Sequence, residues 1–204
     1  MKASPKLSNA SKMPCKSWSL PAVTTCQGAF KSDGVTLVDA CQGCYATKGR
    51  YKFGAVKDLR EYNMEDWKRS GWVDAMVKAI GKGKFFRWFD SGDIENEILA
   101  EKIVRVCKAT PNTKHWIPTR TYKIPNIQAV LEKMPENVVV RYSSDSVIGG
   151  KVSGSHTSTI IQSEDNFIPS KGYSLCRAFA RKGKCKDCRA CWSKKVHTIA
   201  YIAH

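Results

Sequence analysis

Acidic residues are scarce in this chain: 18 Asp and Glu stand against 34 Lys and Arg, a formal net charge of +16 with His neutral. That shortage points away from basic partners and toward anionic ones, because a surplus of cations attracts phosphate backbones and acidic surfaces. A long apolar run is also missing. No stretch approaches the ~18 residues that a membrane span needs, so a membrane partner is not expected. The first 16 residues, "MKASPKLSNASKMPCK", are basic and Ser-rich with no apolar core, so they read as a loose solvated arm and not as a secretory leader. A cytoplasmic location follows. No repeat of solenoid period is visible, and no helix-turn-helix, RRM or zinc-finger spacing accompanies the charge.

Cysteine, by contrast, is plentiful, with nine in 204 residues. A reducing compartment disfavours disulfides, and an odd count does not complete a disulfide framework, so clustered thiols read as metal ligands or catalytic groups. They fall into two groups. The first is Cys26, Cys41 and Cys44, in which "CQGC" folds two thiols toward one centre. The second is Cys176, Cys185, Cys188 and Cys191, where "CKDCRAC" puts three sulfurs in seven residues. Four thiolates suit either tetrahedral zinc or an iron–sulfur cluster, and spacing does not choose between them. Three thiolates would leave a cluster iron open, the arrangement a reactive centre needs; Cys15 as a fourth ligand would make the first group a structural site. Cys107 falls among apolar residues of a helical stretch and is expected in the core.

Between the cysteine groups the pattern alternates. "KFFRWFD", "KHWIPTR" and "ENVVVRYSSDS" read as strands, with "TSTIIQS" and "HTIAYIAH" as later ones. Helical periodicity spans residues 54–80 with a break at Ser70-Gly71. It recurs over 94–110, where Asp93 is a candidate N-cap and Ile94, Ile98, Ile103 and Val106 a buried face, and again from Pro125. Glu95, Glu97 and Glu101 are expected on a solvated face, while His115, Trp88 and Phe89 are expected to be structural. Strand, polar loop and helix in alternation predict an α/β fold, a partial parallel (β/α) barrel-like domain over residues 1–170. A cysteine-rich, metal-binding extension over 171–204 is expected to pack on it. This extension carries nine Lys and Arg against one acid. In such folds ligands bind at the C-terminal ends of the strands. Three polar strand ends therefore point at one site: Asp90, Ser91, Gly92 and Asp93; Thr119 and Arg120; Ser143, Ser144 and Asp145.

The combination "SKMPCKSWSLPA", "CQGCYATKGRYKFGAV", "FFRWFDSGDI", "WIPTRT" and "KCKDCRACW" resembles the phage "gene product 88" family over nearly the whole chain, which implies a phage protein working in an infected host cell. A wider resemblance, carried by CxxCY, the SGD turn and the polar strand ends, is to radical S-adenosylmethionine enzymes. It implies a [4Fe–4S] cluster on Cys26, Cys41 and Cys44, with S-adenosylmethionine on the open iron. Tyr45 would lie beside the adenine, and Ser91, Gly92 and Asp93 would hold the amino group. Thr119, Arg120, Ser143 and Asp145 would hold the carboxylate and ribose, and the second group would resemble an auxiliary cluster. An electron donor and hydrogen abstraction from an unactivated carbon follow, on an unidentified substrate for which a nucleic acid or nucleotide suits the charge. Two other readings stay open. One is a zinc-stapled basic protein that binds nucleic acid or a host protein without catalysis. The other is a non-catalytic iron–sulfur redox or sensor protein.

Overall fold

A computed structural model of the chain describes residues 4–203; the terminal His204 and the first three residues of the basic arm lie outside the described residues. In chain order the elements are β1 (Ser17–Trp18), α1 (Asp39–Gln42), α2 (Gly54–Asp66), α3 (Trp72–Ile80), β2 (Phe85–Trp88), α4 (Glu97–Ala109), β3 (Lys114–Thr119), α5 (Pro125–Leu131), β4 (Val138–Ser143), β5 (Thr157–Ile161), β6 (Tyr173–Leu175) and β7 (Thr198–Ile202). The strands form one sheet in the order β1-β2-β3-β4-β5-β7-β6, and every neighbouring pair is parallel. The chain is therefore an α/β protein with a seven-stranded parallel sheet.

Because side chains alternate across a strand, the sheet has two different faces. Phe86, Trp88, Ile117 and Val138 share one core with Trp72 and Met76 of α3, Leu99 and Ile103 of α4, and Ile127 and Leu131 of α5. Three indoles and two phenyl rings knit its β1–β2 end, with Trp18 edge-on to Trp72 at 5.2 Å and Phe86 edge-on to Trp88 at 5.1 Å. The other face carries Phe85, Arg87, Trp116 and Arg141 and is covered by chain without regular helix. Trp192 meets Phe85 at 5.5 Å and Trp116 at 5.3 Å, and its indole N–H donates to Phe86 O. Covering a sheet face with loop leaves carbonyls that need donors. Arg141, fully buried, supplies them: its guanidinium donates to the carbonyls of Ala190, Cys191, Ser193, Val196, His197 and Thr157.

Most expected elements are present, including the break between α2 and α3 and Pro125 at the first turn of α5. Four details differ. Asn96, not Asp93, caps α4, its Oδ1 accepting from Leu99 N–H at 3.0 Å. Ile94 is buried ahead of that helix, and Ile98 is 59% exposed; the buried stripe is Leu99, Ala100, Ile103, Val106 and Cys107, which recur at three- and four-residue spacing. Glu95 accepts from Trp67 Nε1 at 3.0 Å in place of facing only solvent, whereas Glu97 and Glu101 are exposed. The arm is not loose over residues 4–16. Ser8 bridges Ser17, and Asn63 Oδ1 and Nδ2 pair with both main-chain groups of Lys6. Cys107, Trp88, Phe89 and His115 are core residues as expected.

His115 shows how firmly. Trp88 Nε1 donates to its Nδ1 at 3.2 Å, its Nε2 lies 2.9 Å from Thr110 Oγ1, and burial pushes its pKa down to about 4. The unfolded imidazole binds its proton near 6.5 and the folded one only near 4, so between those values the unfolded state holds the extra proton. Stability is therefore full above pH 6.5 and falls on acidification toward pH 4, by about 3 kcal/mol from this group. His115→Gln is expected to flatten that slope in denaturant melts at pH 4.5, 5.5 and 7.0. Arg141→Met should cost at least about 3 kcal/mol, because six carbonyls lose a charged donor. Limited proteolysis should then cut first within residues 186–197. Arg141→Lys should rescue little, since one ammonium cannot replace the planar fork.

Candidate functional site

The C-terminal ends of β2, β3 and β4 each hold down one piece of the segment that carries Cys26, Cys41 and Cys44. After β2, the carbonyl of Asp90 accepts from Tyr45 OH at 2.6 Å, and its carboxylate accepts from Tyr51 OH at 2.6 Å and Arg87 Nη1 at 3.0 Å. After β3, the backbone of Arg120 lies so close to Gly28 that a Cβ at Gly28 would collide with the Arg120 carbonyl. After β4, the carbonyl of Asp145 accepts from Ala40 N–H at 2.9 Å, one residue before Cys41. Fourteen residues separate Cys26 from Cys41. They are folded back on themselves by Lys31 N–H to Thr36 O at 2.7 Å and Val38 N–H to Ala29 O at 2.9 Å. That hairpin returns Cys41 and Cys44 to the neighbourhood of Cys26. Val23, a β-branched residue at φ 69°, and Phe89 at φ 56° hold left-handed conformations on either side of the site, a cost that only surrounding structure sustains.

The polar residues expected at the strand ends do converge, though several are already engaged. Asp93 is buried, with Oδ1 accepting from Ile94 N–H and Oδ2 from Arg120 N–H, both at 2.8 Å. Burial raises its pKa, and those donors work against the rise. Gly92, at φ 73°, lets the turn press on Leu20, and the Ser91 hydroxyl donates to Leu20 O at 2.8 Å, so Ser91 and Gly92 lock the turn to β1. Thr119 Oγ1 pairs with Thr121 Oγ1 at 2.7 Å, and Ser143 Oγ accepts from Ser158 Oγ at 3.3 Å. Arg120 donates from Nη2 to Ser144 O at 2.8 Å; its Nε stands 3.5 Å from Asp145 Oδ1 but makes no hydrogen bond. Lys123 also pairs with Asp145, at 2.8 Å. Tyr45 is half-exposed and edge-on to Tyr51 at 5.4 Å, a pair that sequence reasoning saw only in part. Burial pushes the Cys26 thiol up to about 12, with the negative charges of Asp93, Cys41 and Cys44 adding to the rise; burial also raises Cys41, opposed chiefly by Arg120. An anion on these thiols is therefore stabilised only when a cation joins it.

The second group lies on the loop-covered face. Cys176, Cys185, Cys188 and Cys191 line one cavity of about 30 Å³ with Trp192 and Ile199. Cys176 is fixed by its N–H to Ala200 O, Cys185 by its N–H to Lys12 O, both at 2.8 Å. Cys191 Sγ lies 3.6 Å from Tyr201 OH, and burial pushes its thiol up to about 11. Cys15 belongs on this side. It packs with Cys185, Cys191, Met13 and Trp192, which separates it from the first group and removes it as that group's fourth ligand.

Among the described residues, no group of three or more His, Cys, Asp or Glu side chains stands in position to hold a metal ion as folded. The four thiols of the second group nevertheless line one cavity, and four thiols are the donor set that tetrahedral zinc or an iron–sulfur cluster takes. The first group lies beside Arg120, whose buried Nε is 3.5 Å from the Asp145 carboxylate. Among the described residues, no helix is long and apolar enough to cross a membrane.

Parallel strands whose carboxyl ends carry a three-cysteine segment define an α/β protein with one candidate centre at the strand ends and another on the sheet face. A family model described as "Gene product 88" matches residues 1–194, and the chain belongs to that family. A phage origin is consistent with that membership. No curated protein and no solved structure matches the chain.

The three tethers give a direct test. Gly28→Ala should lower stability by about 1–3 kcal/mol, the cost of overpacking against backbone that cannot yield. It should also raise the rate at which Cys26 is alkylated by iodoacetamide, measured by peptide mass spectrometry. An unchanged rate would mean that Gly28 does not set the position of Cys26.

Proposed function

We propose that the protein is an iron–sulfur enzyme of the radical S-adenosylmethionine kind, with its reactive centre on Cys26, Cys41 and Cys44 and a single zinc ion on Cys176, Cys185, Cys188 and Cys191. The observation that carries this reading is the triple tether. One contact from each of β2, β3 and β4 brings a three-thiol segment to the strand ends, where α/β proteins bind their ligands. A bound cluster with S-adenosylmethionine would supply one-electron chemistry at an unactivated carbon. The chain's own part is binding and orientation. Arg120 brings to the site a guanidinium, a group that pairs with carboxylates and here lies 3.5 Å from Asp145. Asp93 keeps lone pairs beyond the two that Ile94 and Arg120 N–H occupy, which suits an ammonium. Tyr45 and Tyr51 form an aromatic wall beside Cys44. Four cysteines within sixteen residues suit tetrahedral zinc, which would make that centre a staple for the loop that Arg141 holds.

A second reading, a zinc-stapled basic protein that binds nucleic acid without catalysis, draws on charge. Of the nine basic residues in 170–204, only Arg177 and Lys194 meet a carboxylate among the described residues.

Iron, sulfide and zinc analysis of protein purified without oxygen separates the two. The proposal expects about four irons and four sulfides with about one zinc per chain, iron lost in Cys41→Ala and zinc lost in Cys188→Ala. Zinc without iron would overturn the enzyme reading. Iron at both groups without zinc would overturn the assignment of the second centre.

A further inference from the structure

A cleft of about 640 Å³ opens at the other end of the strands, where β1 and β2 begin. It shares no lining residue with the Cys26 segment or with the polar turns after β2, β3 and β4. Its size falls within the roughly 300–1,000 Å³ of small-molecule sites. Its lining includes the apolar side chains Met13 and Ile80 and three cations: Lys16 precedes β1, Lys84 precedes β2, and Arg189 comes from the loop on the sheet face. Among the described residues, no Asp or Glu lines the cleft, and none of these three cations is ion-paired. Arg189 is held in place by donating to the carbonyls of Lys186 and Cys188 while its guanidinium lies 5.2 Å over the Phe85 ring. Asn9 adds a side-chain amide, a donor and acceptor at the rim.

Three cations without a carboxylate partner and apolar side chains lining one cleft fit a ligand that is anionic in one part and flat and apolar in another. A bare inorganic anion would leave the apolar side chains unused. A fatty acid or other aliphatic anion would leave Asn9 unused. A phosphorylated nucleoside uses all three: phosphate on the cations, base against Met13 and Ile80, base edge on the amide. The chain's net charge of +16 would steer such a ligand in, whether it comes free or as one unit of a strand.

We propose that this cleft binds a nucleoside 5′-phosphate unit, with Lys16, Lys84 and Arg189 on the phosphate. The proposal stands apart from the metal reading and survives its failure. Thymidine 5′-monophosphate, thymidine, inorganic phosphate and 5′-phosphorylated dT12 are the probes, titrated calorimetrically against the full chain. The monophosphate is expected to bind at least about tenfold more tightly than thymidine or phosphate, a difference of about 1.4 kcal/mol. The Lys16→Glu/Lys84→Glu variant should lose at least about tenfold in affinity, while Lys108→Glu/Lys133→Glu, the same charge change on the helical side, should not. Cys15 lines the cleft and reports location: saturating monophosphate should slow its alkylation and leave Cys188 unchanged. Tighter binding of dT12 than of the monophosphate identifies a strand as the source, and equal binding a free nucleotide. Equal losses in the two double variants, no preference over phosphate alone, or Cys15 labelled at an unchanged rate would each overturn the site.

Discussion

Backbone carbonyls on a buried loop must find donors, and on the open face of this sheet one side chain provides them. Arg141 enters from the middle of the sheet and gathers six carbonyls, five of them from the stretch between Ala190 and His197. Without that guanidinium the loop would have to form regular structure or leave for solvent. With it, a sheet face that βα crossovers leave bare is sealed by chain poor in helix and strand. Trp192 docks between Phe85 and Trp116 as a result, and the second cysteine group sits over β3 and β4. The cysteine-rich stretch thus covers one face of the sheet.

The two cysteine groups occupy different physical settings. The first is at the strand ends, held by contacts that come one from each of three loops, beside the buried Asp93 carboxylate and the Arg120–Asp145 ion pair. The second is on the face, its thiols lining one cavity with Trp192 and Ile199. Arg87 stands between them. It reaches Asp90, which holds Tyr45 and Tyr51, and its guanidinium lies 4.6 Å over Trp116 on the cysteine-rich side. A rigid polar link of this kind ties the geometry of one group to that of the other.

Much of the fold was legible because parallel sheets are written in apolar runs with punctuation. Phe85–Trp88, Val138–Ser143 and Thr198–Ile202 are rich in β-branched and aromatic residues, and Pro125 and Ser70-Gly71 mark helix ends. The misses are tertiary. Asp93 and Asn96 are both good caps, and the choice between them was made by Arg120 N–H and Ile94 N–H, which recruit Asp93 elsewhere. Strands β1 and β6 are two and three residues long and exist only because a neighbour offers a ladder. The convergence of the three strand-end loops was readable from the alternation of elements. The membership of Cys15 was not, since it depends on Lys12 meeting Cys185 across most of the chain.

Strand β6 has one partner, β7, and β7 lies between β5 and β6 although it follows both in the chain. The cysteine-rich loop is what joins β6 to β7. Its two ends can be brought to their final spacing only once β7 has paired, so during synthesis four thiols leave the ribosome before the frame that positions them exists. In that interval they stand unshielded, and the pairing of β7 with β5 and β6 is what ends it.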